Sequence, residues 1–333
     1  MYRINGALGS PYSLKMRALM RYRRLPHIWV HGAETHGLAA AKVKAPVIPV
    51  IGYPDGSFHN DSTPLIYELE TLHPDERSVI PPDPARAFLA HLIEDFADEW
   101  LTKAMFGYRW LREIDQVQMS RWLAFDALKG GSLAKSQGFA ANFRTRQVSR
   151  MAIVGCTEAN FPLIEASTRA VLTALEDHVV NRHCLFGTRP SLAEFSLFGQ
   201  LSQLGVDPTP DAMMRADFPY TLRWLLHIDD MSGIDGVWDG DDRPCDTVIE
   251  ALLSVAGDVY FPFLLQNADA LARGEESFTI HAMGHDYTQG TFKYQAKCLA
   301  ELRARYGALS AKAKSELGPL LSTTGCLLPL TAA

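Results

Sequence analysis

Tyr2-Arg3-Ile4-Asn5-Gly6-Ala7-Leu8-Gly9-Ser10-Pro11-Tyr12-Ser13 opens the chain, and its change of texture predicts the fold of the N-terminal unit. Tyr2–Asn5 reads as a short strand and Gly9-Ser10-Pro11 as a turn. Leu14, Ala18, Leu19 and Tyr22 then recur at helical spacing. Pro26 ends that helix, and His27-Ile28-Trp29-Val30 is a second strand. Val47–Ile51 is a third. Tyr53-Pro54-Asp55-Gly56-Ser57 is a turn, with Pro setting φ and Gly taking the positive-φ place, and a strand through Phe58 and His59 completes a hairpin. A helix starts near Asp61-Ser62 and runs through Ile66 and Leu69 to the His73-Pro74 stop. The order is strand, helix, strand, connection, hairpin, helix: a small α/β unit with a mixed sheet.

Beyond the linker Ile80-Pro81-Pro82-Asp83-Pro84 the texture is helical. Phe88, Leu92, Phe96 and Trp100 fall every four residues and read as core. Further helices are expected at about 162–180, 191–205 and 217–229. Ser191-Leu192-Ala193-Glu194 is a capping box, suited to a buried helix start whose amides must find partners. Lys129-Gly130-Gly131-Ser132 begins a loop or a mobile cover. The last ninety residues read as an addition. It comprises a helix through Val248–Val255 that Pro262 kinks or ends, a hairpin around Gly284, and a helix from about Phe292 to Leu309. The domains read from this are 1–79, 84–240 and a mostly helical extension, 241–333.

Composition excludes several classes. A chain of 333 residues with 47% apolar residues is globular and too long for one core of ordinary size. The formal charge of −6 is mixed along the sequence and offers no basic face for nucleic acid. No apolar run approaches the roughly 20 residues that cross a bilayer, and the N-terminus lacks a signal-peptide layout, so the expectation is a cytoplasmic protein without membrane contact. The cysteines, Cys156, Cys184, Cys245, Cys298 and Cys326, are scattered and read as reduced, mostly buried thiols. His281 and His285 read as loop residues and not as metal ligands; no metal site is expected.

Three features of the N-terminal unit carry chemistry. Ser10 brings a hydroxyl to a helix start, where unpaired amides favour anions, and there it can donate to a bound thiolate. Taken alone it is better explained as a plain N-cap. Pro49 interrupts an apolar strand, so it marks an edge or a special position. A cis Ile48–Pro49 bond would turn the Ile48 backbone outward toward a peptide-like ligand, and the sequence leaves the isomer open. Asp61-Ser62-Thr63 precedes a helix: its amides and hydroxyls suit a carboxylate and its aspartate an ammonium, or it is again a cap.

Together these features resemble the glutathione transferase family. Phe186-Gly187-Thr188-Arg189-Pro190-Ser191-Leu192-Ala193-Glu194-Phe195 also looks like that family's capping-box segment, with Glu at the usual Asp. The resemblance covers residues 1 to about 230. It implies an α/β thioredoxin-like domain, an all-α domain after it, and an extension outside the usual two-domain pattern. By the same resemblance glutathione is the cosubstrate and Ser10 the thiol-activating residue. Ile48 beside Pro49 pairs with the cysteinyl backbone, Asp61 and Ser62 hold the γ-glutamyl end, and Lys44 or Lys42 meets the glycine carboxylate. Serine at both 10 and 13, where redox members carry cysteine, points away from disulfide exchange, which needs a thiolate of the protein's own. Tyr12, Tyr108, Trp110 and Trp122 could line an apolar interdomain pocket for the electrophile, though aromatics are more often core. The expected function is transfer of the glutathione thiol to a small apolar electrophile, by a homodimer. The alternative is a non-catalytic ligand- or partner-binding protein on the same scaffold.

Overall fold

The computed structural model describes residues 1–74, 77–128, 132–240 and 245–332. The expected loop or cover at Lys129–Gly131 lies outside them. The first elements are β1 (Tyr2–Asn5), α1 (Pro11–Tyr22) and β2 (His27–Val30); both strands have the expected bounds, and α1 carries the expected stripe from Leu14 to Tyr22. The connection after β2 holds a helix that periodicity did not signal, α2 (Ala33–Ala40), because only Ala39 of it is buried and no apolar stripe forms. β3 (Val50–Gly52), β4 (Phe58–Asn60) and α3 (Ser62–Leu72) follow. The strand expected from Val47 thus begins only at Val50. Pro49 has no N–H to donate, so the ladder cannot extend back through it, and Val47 is exposed.

The sheet order is β2-β1-β3-β4, with β1 parallel to β2 and antiparallel to β3, and β4 antiparallel to β3. Ile4, Val50 and Ile51 of the sheet are buried with Met16, Leu19 and Met20 of α1 and Leu65, Ile66 and Leu69 of α3. Each such side chain contributes roughly 1.5–3 kcal/mol of transfer free energy. This is a thioredoxin-like domain, and the chain after it is largely helical.

The chain forms two compact units. The first joins Met1–Val79 to Tyr108–Ser149 and Glu194–Gly236. It therefore includes α6 (Glu113–Leu128), α7 (Leu133–Val148), α10 (Pro208–Asp217) and α11 (Pro219–Ile228), with most of α9 (Leu192–Leu204) and the end of α5 (Thr102–Leu111). Ser132 caps α7 by accepting from the Lys135 N–H, so the segment after it is a helix. Neither α7 nor α10 was expected from the sequence.

The second unit joins Ile80–Gly107, Arg150–Ala193 and Val237–Ala333. It opens on α4 (Pro84–Phe96), whose first amides are met by Asp83, accepting from Arg86 N–H at 2.8 Å. The stripe of Phe88, Leu92, Phe96 and Trp100 is core, as its period implied. A π turn, Ala97–Leu101, leads from α4 into α5. α8 (Phe161–Val179) follows, and at the start of α9 Ser191 accepts from the Ala193 N–H at 3.2 Å.

Pro262 does not end the helix before it. α12 (Thr247–Val255), a second π turn (Ala256–Tyr260) and α13 (Phe261–Arg273) form one helical run, with Pro262 in the first turn of α13. The wider π turn ahead of the proline accommodates a ring that a regular helix would expel. The joined run, Thr247–Arg273, is by length and composition able to span a bilayer, contrary to the estimate from the sequence. Here Leu252, Leu253, Val259, Phe263 and Leu264 are buried in the unit's own core.

β5 (Ser277–Ala282) and β6 (His285–Gly290) pair through a two-residue turn, Met283 and Gly284, both at positive φ. His281 and His285 therefore lie on strands and not in a loop, and His281 Nδ1 meets Asp286 Oδ1 at 2.8 Å on the surface. Phe278, Ile280, Ala282, Tyr287 and Gln289 face inward. Trp100, Phe263 and Tyr287 pack ring to ring at 5.3–6.1 Å. α14 (Lys293–Ala308), α15 (Ala311–Thr323) and α16 (Leu327–Thr331) close the chain.

Candidate functional site

Register builds the site. Asn5 of β1 lies opposite Val50 of β3, and Val50 opposite Asn60 of β4. The chain that leaves β1 for Ser10, the chain that enters β3 from Pro49 and the chain that leaves β4 for Asp61 therefore meet at one end of the sheet. Asn5 Nδ2 donates to the Val50 carbonyl at 3.0 Å and Asn60 Nδ2 to the Ala45 carbonyl at 2.6 Å, tying these loops together. The Ile48–Pro49 peptide is cis. Ile48 is half-buried and Pro49 buried.

Ser10 is the N-cap of α1, as the plain reading held, yet its hydrogen bonds leave it a donor. Its Oγ accepts from the Ser13 N–H at 3.3 Å and from the Ser13 hydroxyl at 2.9 Å. With the oxygen taking two donors, its own proton is directed elsewhere. Ser13 is fully buried, while Ser10 retains exposure. Gly6 permits this turn: a Cβ there would sit 2.8 Å from the Trp29 ring and 2.9 Å from Ser13.

At the other loop, Asp61 takes the N-cap place of α3 without capping it, at φ 77°, ψ 106°. A non-glycine residue held there stores roughly 1–3 kcal/mol of strain, a cost that clusters at functional positions. Ser62 Oγ accepts from Lys15 Nζ at 3.3 Å, so the helix that Ser10 caps is linked to the start of α3. Lys15 is fully buried. Lys42 packs its ammonium over the Phe58 ring at 4.1 Å, while Lys44 is exposed on the loop before Pro49.

Residues 5–77 match the family model of the glutathione S-transferase N-terminal domain. This domain belongs to the glutathione S-transferase family. Among solved structures, the chain is similar to a glutathione S-transferase from Methylobacillus flagellatus KT with glutathione bound. The two share 16% identity over 70% of this chain and 96% of that one, with a TM-score of 0.43. One from Methylobacterium radiotolerans JCM 2831, in complex with glutathione sulfonate, gives 19%, 74%, 98% and 0.40. One from Rhodospirillum rubrum F11 gives 17%, 76%, 92% and 0.42. No curated protein matches the chain.

Several residues that hold the glutathione S-transferase domain's turn escaped the sequence reading. Arg109 donates through one guanidinium nitrogen to the Gly9 carbonyl at 2.9 Å, immediately before Ser10. Its other nitrogens donate to Asp207 Oδ2 at 2.8 Å and Gln203 Oε1 at 2.7 Å. Gln203 Nε2 donates to the Leu8 carbonyl at 3.1 Å. Gly199 of α9 lets that helix approach the turn, since a Cβ would stand 2.7 Å from the Pro11 carbonyl oxygen. Burial pushes the Asp207 carboxyl up to about 6, while Arg109 pulls it down. The available signal was a charge inside an apolar stripe: Lys15 between Leu14 and Leu19, and Arg109 between Tyr108 and Trp110. Of the aromatics considered for an electrophile pocket, Tyr108 and Trp110 are core. Trp122 is half-exposed and lines an open hollow of about 510 Å³ with Ile114, Val117 and Pro208.

Proposed function

We propose that this protein is a glutathione transferase-like enzyme that activates the glutathione thiol for conjugation to, or displacement on, a small apolar electrophile. The observation that carries this reading is the Ser13–Ser10 hydroxyl pair at the start of α1. Both Ser13 donors occupy the Ser10 oxygen, which orients the Ser10 proton outward, ready to donate to a thiolate. Glutathione, when bound, supplies the thiol nucleophile. The buried network of Arg109, Gln203 and Asp207 fixes the turn that presents Ser10, so the hydroxyl is positioned before the reaction begins.

The remaining roles follow the same reading. The Ile48 backbone beside Pro49 pairs with the cysteinyl residue. Asp61 takes the γ-glutamyl ammonium, and Ser62 with the first amides of α3 takes its carboxylate. Lys44 meets the glycine carboxylate as an exposed, adjustable cation. Serine in place of cysteine at 10 and 13 directs the chemistry to thiol transfer and away from disulfide exchange. We place the enzyme in the cytoplasm as a homodimer.

The test is turnover of glutathione with a general aromatic electrophile in wild type, Ser10→Ala and Ser10→Thr. Loss of turnover in the alanine variant, a raised apparent thiol pKa and rescue by threonine are expected. Undiminished turnover in Ser10→Ala would falsify the assignment. Glutathione binding without turnover across a broad electrophile panel would identify a ligand- or partner-binding protein instead. Sedimentation of a monomer would remove the dimer.

A further inference from the structure

A small pocket with an apolar wall and a few polar groups lies within the second unit. It has a volume of about 110 Å³ and is lined by Glu99, Thr102, Lys103, Phe106, Val154, Gln289, Phe292 and Gln295. At ~30 Å³ per liquid water, that is space for about three or four waters.

Its construction departs from ordinary core. Glu99 sits on the π turn Ala97–Leu101, and π turns recur at functional sites. Lys103 stands four residues on, a spacing at which a regular helix would pair acid with amine. Here Lys103 Nζ donates instead to Gln289 Oε1 at 2.6 Å and to the Val154 carbonyl at 3.3 Å. That leaves one of its three ammonium protons without an oxygen acceptor among the described residues. The Phe263 ring lies 4.7 Å from the ammonium, and Tyr287 and Trp100 lie at 5.7 and 5.9 Å. Gln289 faces inward from β6, and its Oε1 accepts from both the Lys103 ammonium and the Tyr287 hydroxyl, each at 2.6 Å. Gln295 of α14 has its side-chain oxygen buried without a hydrogen-bond partner.

We infer that this pocket is a ligand site distinct from the glutathione site, and that it takes a small hydroxy-carboxylate of about the size of lactate. The carboxylate accepts from Lys103 and from the Glu99 carboxyl O–H. The ligand hydroxyl donates to the orphaned Gln295 oxygen, and Phe106 and Phe292 cover the short carbon chain.

Protonation supports the charge assignment. Burial, aided by Asp95, Asp98 and Glu94, raises the Glu99 carboxyl well above the usual carboxylate range, with Lys103 opposing. That shift favours the protonated carboxyl, the form that can donate. Burial lowers Lys103 to about 8, against Cys156 and Glu99, so it remains mostly charged. Cys156 is pushed by burial up to about 12 and Tyr287 is raised well above its ordinary value, so neither adds a charge. An ammonium with a proton to spare, beside a carboxyl biased toward its neutral form, favours a carboxylate over an amine.

The full-length protein is titrated with lactate, propionate and propylammonium by calorimetry and ligand-observed NMR, with folding followed by near-ultraviolet circular dichroism. Lactate should bind saturably and more tightly than propionate, and propylammonium should not bind. Lys103→Met should weaken lactate by at least about tenfold, the loss expected for a charge-assisted hydrogen bond. Gln295→Phe should block the pocket with both charges in place, and it keeps the test decisive if Lys103→Met does not fold. Glu99→Gln, which retains an N–H donor, should bind within about threefold of wild type. Failure of folded wild type to bind lactate overturns the proposal. So does unchanged binding in a folded Lys103→Met or Gln295→Phe variant, or propylammonium binding that Glu99→Gln abolishes.

Discussion

Replacing Asp207 tests how the turn before Ser10 is held. Arg109 and Asp207 are both buried, at 2% and 0% exposure, and pair at 2.8 Å. Asp207→Leu strips the guanidinium of its counter-charge and leaves only the neutral acceptors Gln203 and Gly9. Breaking such a pair from one side should cost about 3–5 kcal/mol. Asp207→Asn is different. Its amide oxygen can keep the Arg109 hydrogen bond, and the second carboxylate oxygen it replaces is buried without a partner. The ionised carboxyl is therefore poorly supported, in line with its rise from 3.8 to about 6, which corresponds to about 3 kcal/mol. The native state holds this proton more tightly than the unfolded chain does. This group's contribution thus falls as pH rises from about 4 to about 6, and recovers on acidification through the same window.

The assay is urea unfolding of wild type, Asp207→Asn, Asp207→Leu and Arg109→Met/Asp207→Leu from pH 4 to 8, with two spectroscopic probes checked for coincident transitions. Asp207→Asn should stay within about 1 kcal/mol of wild type at pH 7. Wild type should gain on it by up to about 3 kcal/mol as pH falls toward 4. The double variant should recover most of the Asp207→Leu loss. A pH-independent difference between wild type and Asp207→Asn would refute the reasoning. So would a double variant as unstable as Asp207→Leu.

Ser13→Ala should preserve the fold and lower kcat/KM with glutathione by about fivefold, the effect of one neutral hydrogen bond, with the acid limb of the pH–rate profile moved to higher pH. An unchanged profile would detach Ser13 from Ser10's role. Gly155→Ala should destabilise the second unit by about 3 kcal/mol or more, because its Cβ would lie 2.0 Å from the Tyr287 hydroxyl at a φ of 73°. A thermal-unfolding midpoint equal to wild type would contradict that packing. Lys103 has a folded pKa of about 8 against an ordinary 10.5, so its buried charge opposes folding below about 8. Wild-type stability should therefore rise relative to Lys103→Met between about pH 8 and 10.5, by on the order of 3 kcal/mol. Parallel pH profiles would argue that Lys103 is not buried as an ammonium.

Local signals carried most of the first domain. Turn residues, helix stops and short apolar runs placed β1, α1, β2 and the β3–β4 hairpin, because each depends on neighbours within a few residues. They also nominated Ser10, Pro49, Asp61 and Ser62, since a cap, a proline in a strand and an acid at a helix start are visible one at a time. Tertiary structure decided what these residues do to one another. Nothing along the chain says that Asn5, Val50 and Asn60 lie abreast, because strand register depends on pairing across many intervening residues. Nor does it say that Arg109 and Asp207, 98 positions apart, hold the carbonyl ahead of Ser10. The proline at 262 suggested a break, yet a π turn ahead of it keeps the helix running. That run, with the hairpin that follows it, brings Phe263, Tyr287 and Gln289 around Lys103. A buried charge is recognisable from sequence as an anomaly in an apolar stripe, but its partners come from segments that only the folded chain brings within hydrogen-bond reach.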